Sequence, residues 1–126
     1  KKLIIVGAIL GMIAIVLGAF GAHALKNVLT VEQLNTFETG VKYQMYHALF
    51  LMFVANSQMI NQKIKKTILI LVSLGVLFFS GSIYLLATNN LTAFDFKIIG
   101  FITPIGGLLL ITGWIFVIVN FFNKKS

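Results

Sequence analysis

Apolar residues run unbroken from Leu3 to Ala22, and three more apolar stretches follow: about Tyr43 to Ile60, Ile68 to Thr88, and Ile98 to Phe122. A helix needs roughly 20 mostly apolar residues to cross about 30 Å of hydrocarbon. The pattern predicts four spanning helices, over about 3–25, 43–60, 68–88 and 98–122, packed as an all-α four-helix bundle in one integral membrane domain covering 1–126. Helices satisfy their own backbone hydrogen bonds in lipid. A β-barrel is excluded, because these runs lack the polar alternation of barrel strands.

The long polar stretch, Lys26 to Lys42, has its own pattern. Thr30-Val31-Glu32-Gln33 matches a capping box, with Thr30 as N-cap and Leu29 and Leu34 at the staple positions. Val31, Leu34, Phe37 and Val41 then recur at spacings of three and four, which makes one apolar stripe. This predicts a short amphipathic helix over about 31–42, lying at the outer interface, with Gly40 as a bend into the second span.

Composition agrees with the membrane assignment. Hydrophobic residues make up 59% of the chain and charged residues 10%, against about 25% charged in a soluble domain. Cysteine is absent, which excludes disulfides and thiolate chemistry. The net charge of +7 could suggest nucleic acid, so the positions of the lysines decide its meaning. Lys1, Lys2, Lys63, Lys65, Lys66, Lys124 and Lys125 flank the spans on one side, against Lys26, Lys42 and Lys97 on the other. The positive-inside rule then puts both termini and the middle loop in the cytoplasm. The charge reads as topology beside anionic headgroups, with the lipid bilayer as partner and no nucleic acid. Lys1-Lys2, an apolar run and Ala22-His23-Ala24 together look somewhat like a signal peptide. The run is longer than a signal core and further spans follow, so a retained first helix is expected.

Candidate chemistry is sparse. Gly7, Gly11, Ala14, Gly18 and Gly21 form a small-residue seam, which lets helix backbones approach closely in lipid. Packing within the chain is the preferred use of this seam; a homo-oligomer or another membrane protein is the alternative. Thr103, Pro104, Gly106 and Gly107 predict a kink in the fourth span. His23, Tyr43, Gln44, Tyr46, His47 and Tyr84 are expected to converge towards the outer third of the membrane, as a polar cluster. His23 and His47 on adjacent helices are compatible with axial haem ligation or half a zinc site. However, Glu32, Glu38 and Asp95 all lie outside the spans, and nothing there completes a metal shell. No Ser-His-Asp set is visible, so neither an enzyme nor a bound cofactor or metal is expected.

Four motifs in order look like one known group. They are Gly18-Ala19-Phe20-Gly21-Ala22-His23-Ala24-Leu25, Thr39 through Leu49, Phe79-Ser80-Gly81-Ser82-Ile83-Tyr84, and Thr103-Pro104-Ile105-Gly106-Gly107. They resemble domain-of-unknown-function family 423, small four-helix proteins of the bacterial plasma or inner membrane that include a membrane-stabilising protein. The resemblance implies a broad role in membrane integrity and brings no catalytic residues with it. The expected function is a non-enzymatic membrane protein supporting envelope integrity through helix packing and lipid or protein contacts. A small oligomeric channel or transporter is the alternative, and a haem- or metal-binding membrane protein the second.

Overall fold

The structure is a computed structural model that describes residues 1–89 and 100–123. Asp95, Lys97, Lys124 and Lys125, and the start of the fourth predicted span at Ile98, lie outside the described residues. Four helices form: α1 over Lys2–His23, α2 over Val31–Asn56, α3 over Gln62–Ala87 and α4 over Ile102–Asn123. A short 3₁₀ turn at Leu25–Asn27 links the first two, and the described residues contain no strand.

Facing residues show that successive helices are antiparallel. Along α1 and α2, Gly7 meets Ala48, Gly18 meets Val41 and Gly21 meets Phe37. Between α2 and α3, Gly40 meets Ile83 and Tyr84, while Lys65 bonds back to Ala55. Between α3 and α4, Gly75 meets Leu110 and Gly106, and Val72 meets Gly113. Each helix thus packs mainly on its neighbour in sequence, as short connections dictate.

With its following turn (Lys2–Asn27), α1 is long and apolar enough to cross a membrane, as are α3 and α4. At 1.5 Å per residue the shortest of these helices is about 33 Å long, sufficient for the hydrocarbon layer. The outward surface of α1 is apolar along its length, with Ile15 at 66% exposure and Val16 at 60%. The second predicted span differs. Its helix α2 is long enough, but Glu32, Glu38, Lys42, Gln44 and His47 leave it outside the set that qualifies by composition.

Two further expectations change. First, 31–42 and 43–56 are one continuous helix, so the amphipathic stretch is not a separate element and Gly40 is not a bend. Its start is fixed as the sequence suggests: Thr30 accepts from the Gln33 backbone at 3.1 Å, and the Gln33 side chain accepts from the Thr30 backbone at 2.9 Å. Second, Pro104 does not kink a span. It is the third residue of α4, within the first turn, where backbone N–H groups have no intrahelical acceptor to lose. Replacing Pro104 by alanine should therefore change stability by less than about 1 kcal/mol, against about 3 kcal/mol for a proline within a helix. Unfolding in mixed detergent micelles measures this; a large stabilisation would restore the kink.

Apolar side chains gather in two clusters. The larger joins Leu3, Phe50, Leu51, Val54, Ile60, Ile68, Val72, Val76 and Leu110, and the smaller joins Leu25, Leu29, Phe37 and Ala87. On α2 and α3 the residues between the two clusters are polar, and they make the site.

Candidate functional site

The stretch of α2 from Gly40 to His47 faces residues 80–84 of α3, and there a polar seam ties the helices together. Gln44 is buried at 3% exposure. Its Nε2 donates to the Leu10 carbonyl of α1 at 2.8 Å, and its Oε1 accepts from the Tyr84 hydroxyl at 2.6 Å. One amide therefore bridges three helices. Ser80, fully buried, donates to the Gly40 carbonyl at 2.8 Å, and the Ser82 and Thr103 hydroxyls pair at 2.6 Å between α3 and α4.

His47 closes the seam on the side of α4. Its Nδ1 lies 2.7 Å from the Tyr43 carbonyl, and Trp114 Nε1 donates to its Nε2 at 3.1 Å. A carbonyl only accepts and an indole N–H only donates, so these partners select the neutral ring with its proton on Nδ1. Trp114 also stacks on Phe50, with ring centroids 4.1 Å apart. Beside these rings lies a cavity of about 300 Å³, lined by Tyr43, His47, Phe79, Gly107, Leu110, Ile111 and Trp114.

Of the predicted cluster, Gln44, His47 and Tyr84 belong to this seam. Tyr43 and Tyr46 are exposed, their rings 5.5 Å apart, and Tyr43 also packs on Phe79 at 5.2 Å. His23 is exposed at the end of α1 and stands apart from the rest. Gly21 faces Phe37, and His47 is ten residues further along α2, about 15 Å of helix rise. The structure does not bring His23 and His47 to one depth, so axial haem ligation by this pair loses its geometric basis. Among the described residues, no group of three or more ionisable side chains is placed to hold a metal.

The small residues of α1 meet α2 of the same chain. A Cβ on Gly7 would come within 2.9 Å of the Ala48 carbonyl oxygen, whereas Gly11 and Gly18 leave ordinary room; Ala14 is buried at 1%. Gly107 lies beside the Phe79 ring, and Gly106 lies against the backbone of Phe78 and Phe79. Neither takes part in a kink.

Several contributors were missed in the sequence. Gly75 admits Leu110 at the α3–α4 crossing. Asn120, buried near the end of α4, donates to the Met59 carbonyl at 3.0 Å and accepts from the Asn61 backbone at 3.4 Å, which clamps the α2–α3 turn. An asparagine inside an apolar run is a signal that could have found it, since such groups need partners in lipid. Trp114 was read as a packing aromatic only, and its bond to His47 has no signature in spacing.

The seam makes a quantitative expectation. Gln44→Leu should cost about 1–2 kcal/mol and Tyr84→Phe about 0.6 kcal/mol, the scale of interhelical hydrogen bonds in membranes. Unfolding of the two single variants and the double variant in mixed micelles checks the coupling. Strict additivity would show that the bond between them is not made.

Comparison with known proteins follows the same line. A family model described as protein of unknown function (DUF423) matches residues 17–107. A UPF0382 membrane protein of Staphylococcus haemolyticus is 42% identical over 126 residues, covering 98% of this chain and 97% of the relative. One from Haemophilus influenzae is 36% identical over 126 residues, covering 100% and 98%. The UPF0382 inner membrane protein of Escherichia coli K12 is 32% identical over 128 residues, covering 99% and 92%. No solved structure matches the chain.

Proposed function

Because the chain belongs to the DUF423 family of membrane proteins, we propose that it is a non-enzymatic protein of the bacterial plasma membrane that supports membrane or envelope integrity. In this reading all four helices cross, including α2, whose buried polar groups are matched within the bundle. Both termini and the α2–α3 turn face the cytoplasm, on the lysine-rich side. The first part of α2, about 31–42, lies at the outer interface with its polar face towards water.

One observation carries the proposal. Among the described residues, no buried side-chain nitrogen or oxygen lacks a hydrogen-bond partner, and the seam uses its polar groups to join helices. What the bundle turns outwards is apolar and aromatic, including Tyr43, Tyr46, Ile105, Ile111 and Trp114. Groups bonded to one another inside the bundle suit a rigid body that makes contacts through its surface. They suit a transport path less well, because substrate would have to displace those bonds. The exposed pair Tyr43 and Tyr46, with His23 nearer the outer water, form the contact surface, and Gln44, His47 and Tyr84 hold it in place.

The test is complementation of a strain lacking the protein, challenged with a membrane-permeabilising agent. The triple variant His23→Ala, Tyr43→Ala, Tyr46→Ala should reach the membrane at the normal level yet leave survival at that of the deletion strain. Full rescue by this variant would remove the surface from the account. A deletion strain with an unaltered permeability barrier would remove the integrity role itself.

A further inference from the structure

The other end of the bundle holds the larger cavity, about 580 Å³, between the first turns of α1 and α3. It exists because both helices pack on α2 and make little contact with each other. Lys1, Lys2, Lys65 and Lys66 line it together with Leu3, Leu69 and Ile70. Its size falls in the range of about 300–1,000 Å³ typical of small-molecule sites.

Its chemistry is one-sided. Lys65 is buried at 8% exposure and donates to the Ala55 carbonyl at 3.1 Å, which uses one of its three N–H groups. Among the described residues no carboxylate lines this cavity. Glu38 precedes Ala55 by seventeen residues on α2, about 25 Å away along the helix. A buried ammonium without an opposite charge is costly, so the lysines call for an anion. Both helices begin here, and their positive ends add to the same field. The apolar lining calls for something else. Leu3, Leu69 and Ile70 meet hydrocarbon more favourably than water, and Ile4, Ile5 and Ile70 continue an exposed apolar surface beside them. A soluble anion satisfies the lysines alone, whereas an anionic amphiphile satisfies both.

We infer that this cavity binds the headgroup of an anionic phospholipid. The phosphate sits among Lys1, Lys2, Lys65 and Lys66, and the acyl chains run out past Leu3, Leu69 and Ile70. The site lies at the opposite end from the Tyr43–Tyr46 surface and does not rest on the integrity role proposed above.

The experiment reconstitutes the full chain in phosphatidylcholine doped with phosphatidylglycerol and measures the lipid retained, by native mass spectrometry, as the anionic fraction is titrated. The protein should retain phosphatidylglycerol in preference to phosphatidylcholine. Lys2→Gln/Lys66→Gln leaves the Lys65 bond intact and should weaken that retention roughly tenfold. Lys26→Gln/Lys42→Gln removes the same charge at the other end and should leave retention unchanged. Exposed Lys1→Gln is a second variant in case the pair disturbs folding, and it should weaken retention in the same direction. Equal loss in both double variants would mean general charge attraction and overturn the site. So would equal retention of the two lipids, or displacement of the anionic lipid by inorganic phosphate at ordinary buffer concentration.

Discussion

Gly106→Ala should separate α3 from α4 and cost about 3 kcal/mol, the upper end of overpacking penalties. The added methyl would meet the Phe79 amide nitrogen and stand 2.7 Å from the Phe78 carbonyl carbon and 2.8 Å from the Phe79 Cα. These are backbone atoms of a buried helix, so no rotamer change relieves the clash. The helices must move apart, and three contacts then loosen together: Gly75 against Leu110, Gly113 against Val72, and the Ser82–Thr103 hydroxyl pair. Gly81→Ala is the matched control. Nothing lies within 4 Å of a Cβ there, so that change should be neutral or stabilise by about 0.5–1 kcal/mol through helix preference alone. Unfolding of both variants in mixed micelles decides the matter. Equal stability of the two would mean that α3 and α4 do not cross at Gly106.

The second large effect is expected at Gly40. A Cβ there would stand 2.7 Å from Cε1 of Tyr84 and 3.0 Å from Cγ2 of Ile83. The Tyr84 ring cannot swing away freely, because its hydroxyl is held by Gln44 and its face by Phe37, with ring centroids 5.1 Å apart. Gly40→Ala should therefore cost about 2 kcal/mol. A simple bend at Gly40 predicts the opposite sign, since alanine is the better helix former by about 1 kcal/mol. A double-mutant cycle with Tyr84→Ala identifies the source: with the ring removed, most of the penalty should vanish. An unchanged penalty in that background would show that Tyr84 is not the obstacle.

These two glycines show how far the chain could be read without coordinates. Both were visible as small residues, one assigned to a bend and the other to a kink. The bend failed because Gly40 has helical neighbours on both sides and an aromatic ring waiting across the interface. The kink failed because proline bends a helix only from its interior, and Ile102 starts α4 two residues before Pro104. The α1 seam was easier, since a repeat of small residues every three or four positions declares a face. Its partner, α2 of the same chain, was not declared. Within the polar cluster, Gln44 and Tyr84 were identified as residues but not as a bonded pair. His23 was grouped with His47 because depth was counted from span ends, and α2 extends well beyond the end assumed for it.

What the sequence determined by itself is the solvent, the helices and the capped start of α2. Those depend on desolvation of apolar side chains and on hydrogen bonds between residues three or four apart, and both are local. The tertiary structure decided which glycine meets which backbone, which hydroxyl pairs with Gln44, and that His47 answers Trp114 rather than His23. Those choices turn on contacts of a few ångströms between residues 34 to 67 positions apart, for which no local pattern carries the register. The lysines belong to both accounts: their side of the membrane is a matter of counting, but the cavity they line exists only because α1 and α3 lean on α2 and not on each other.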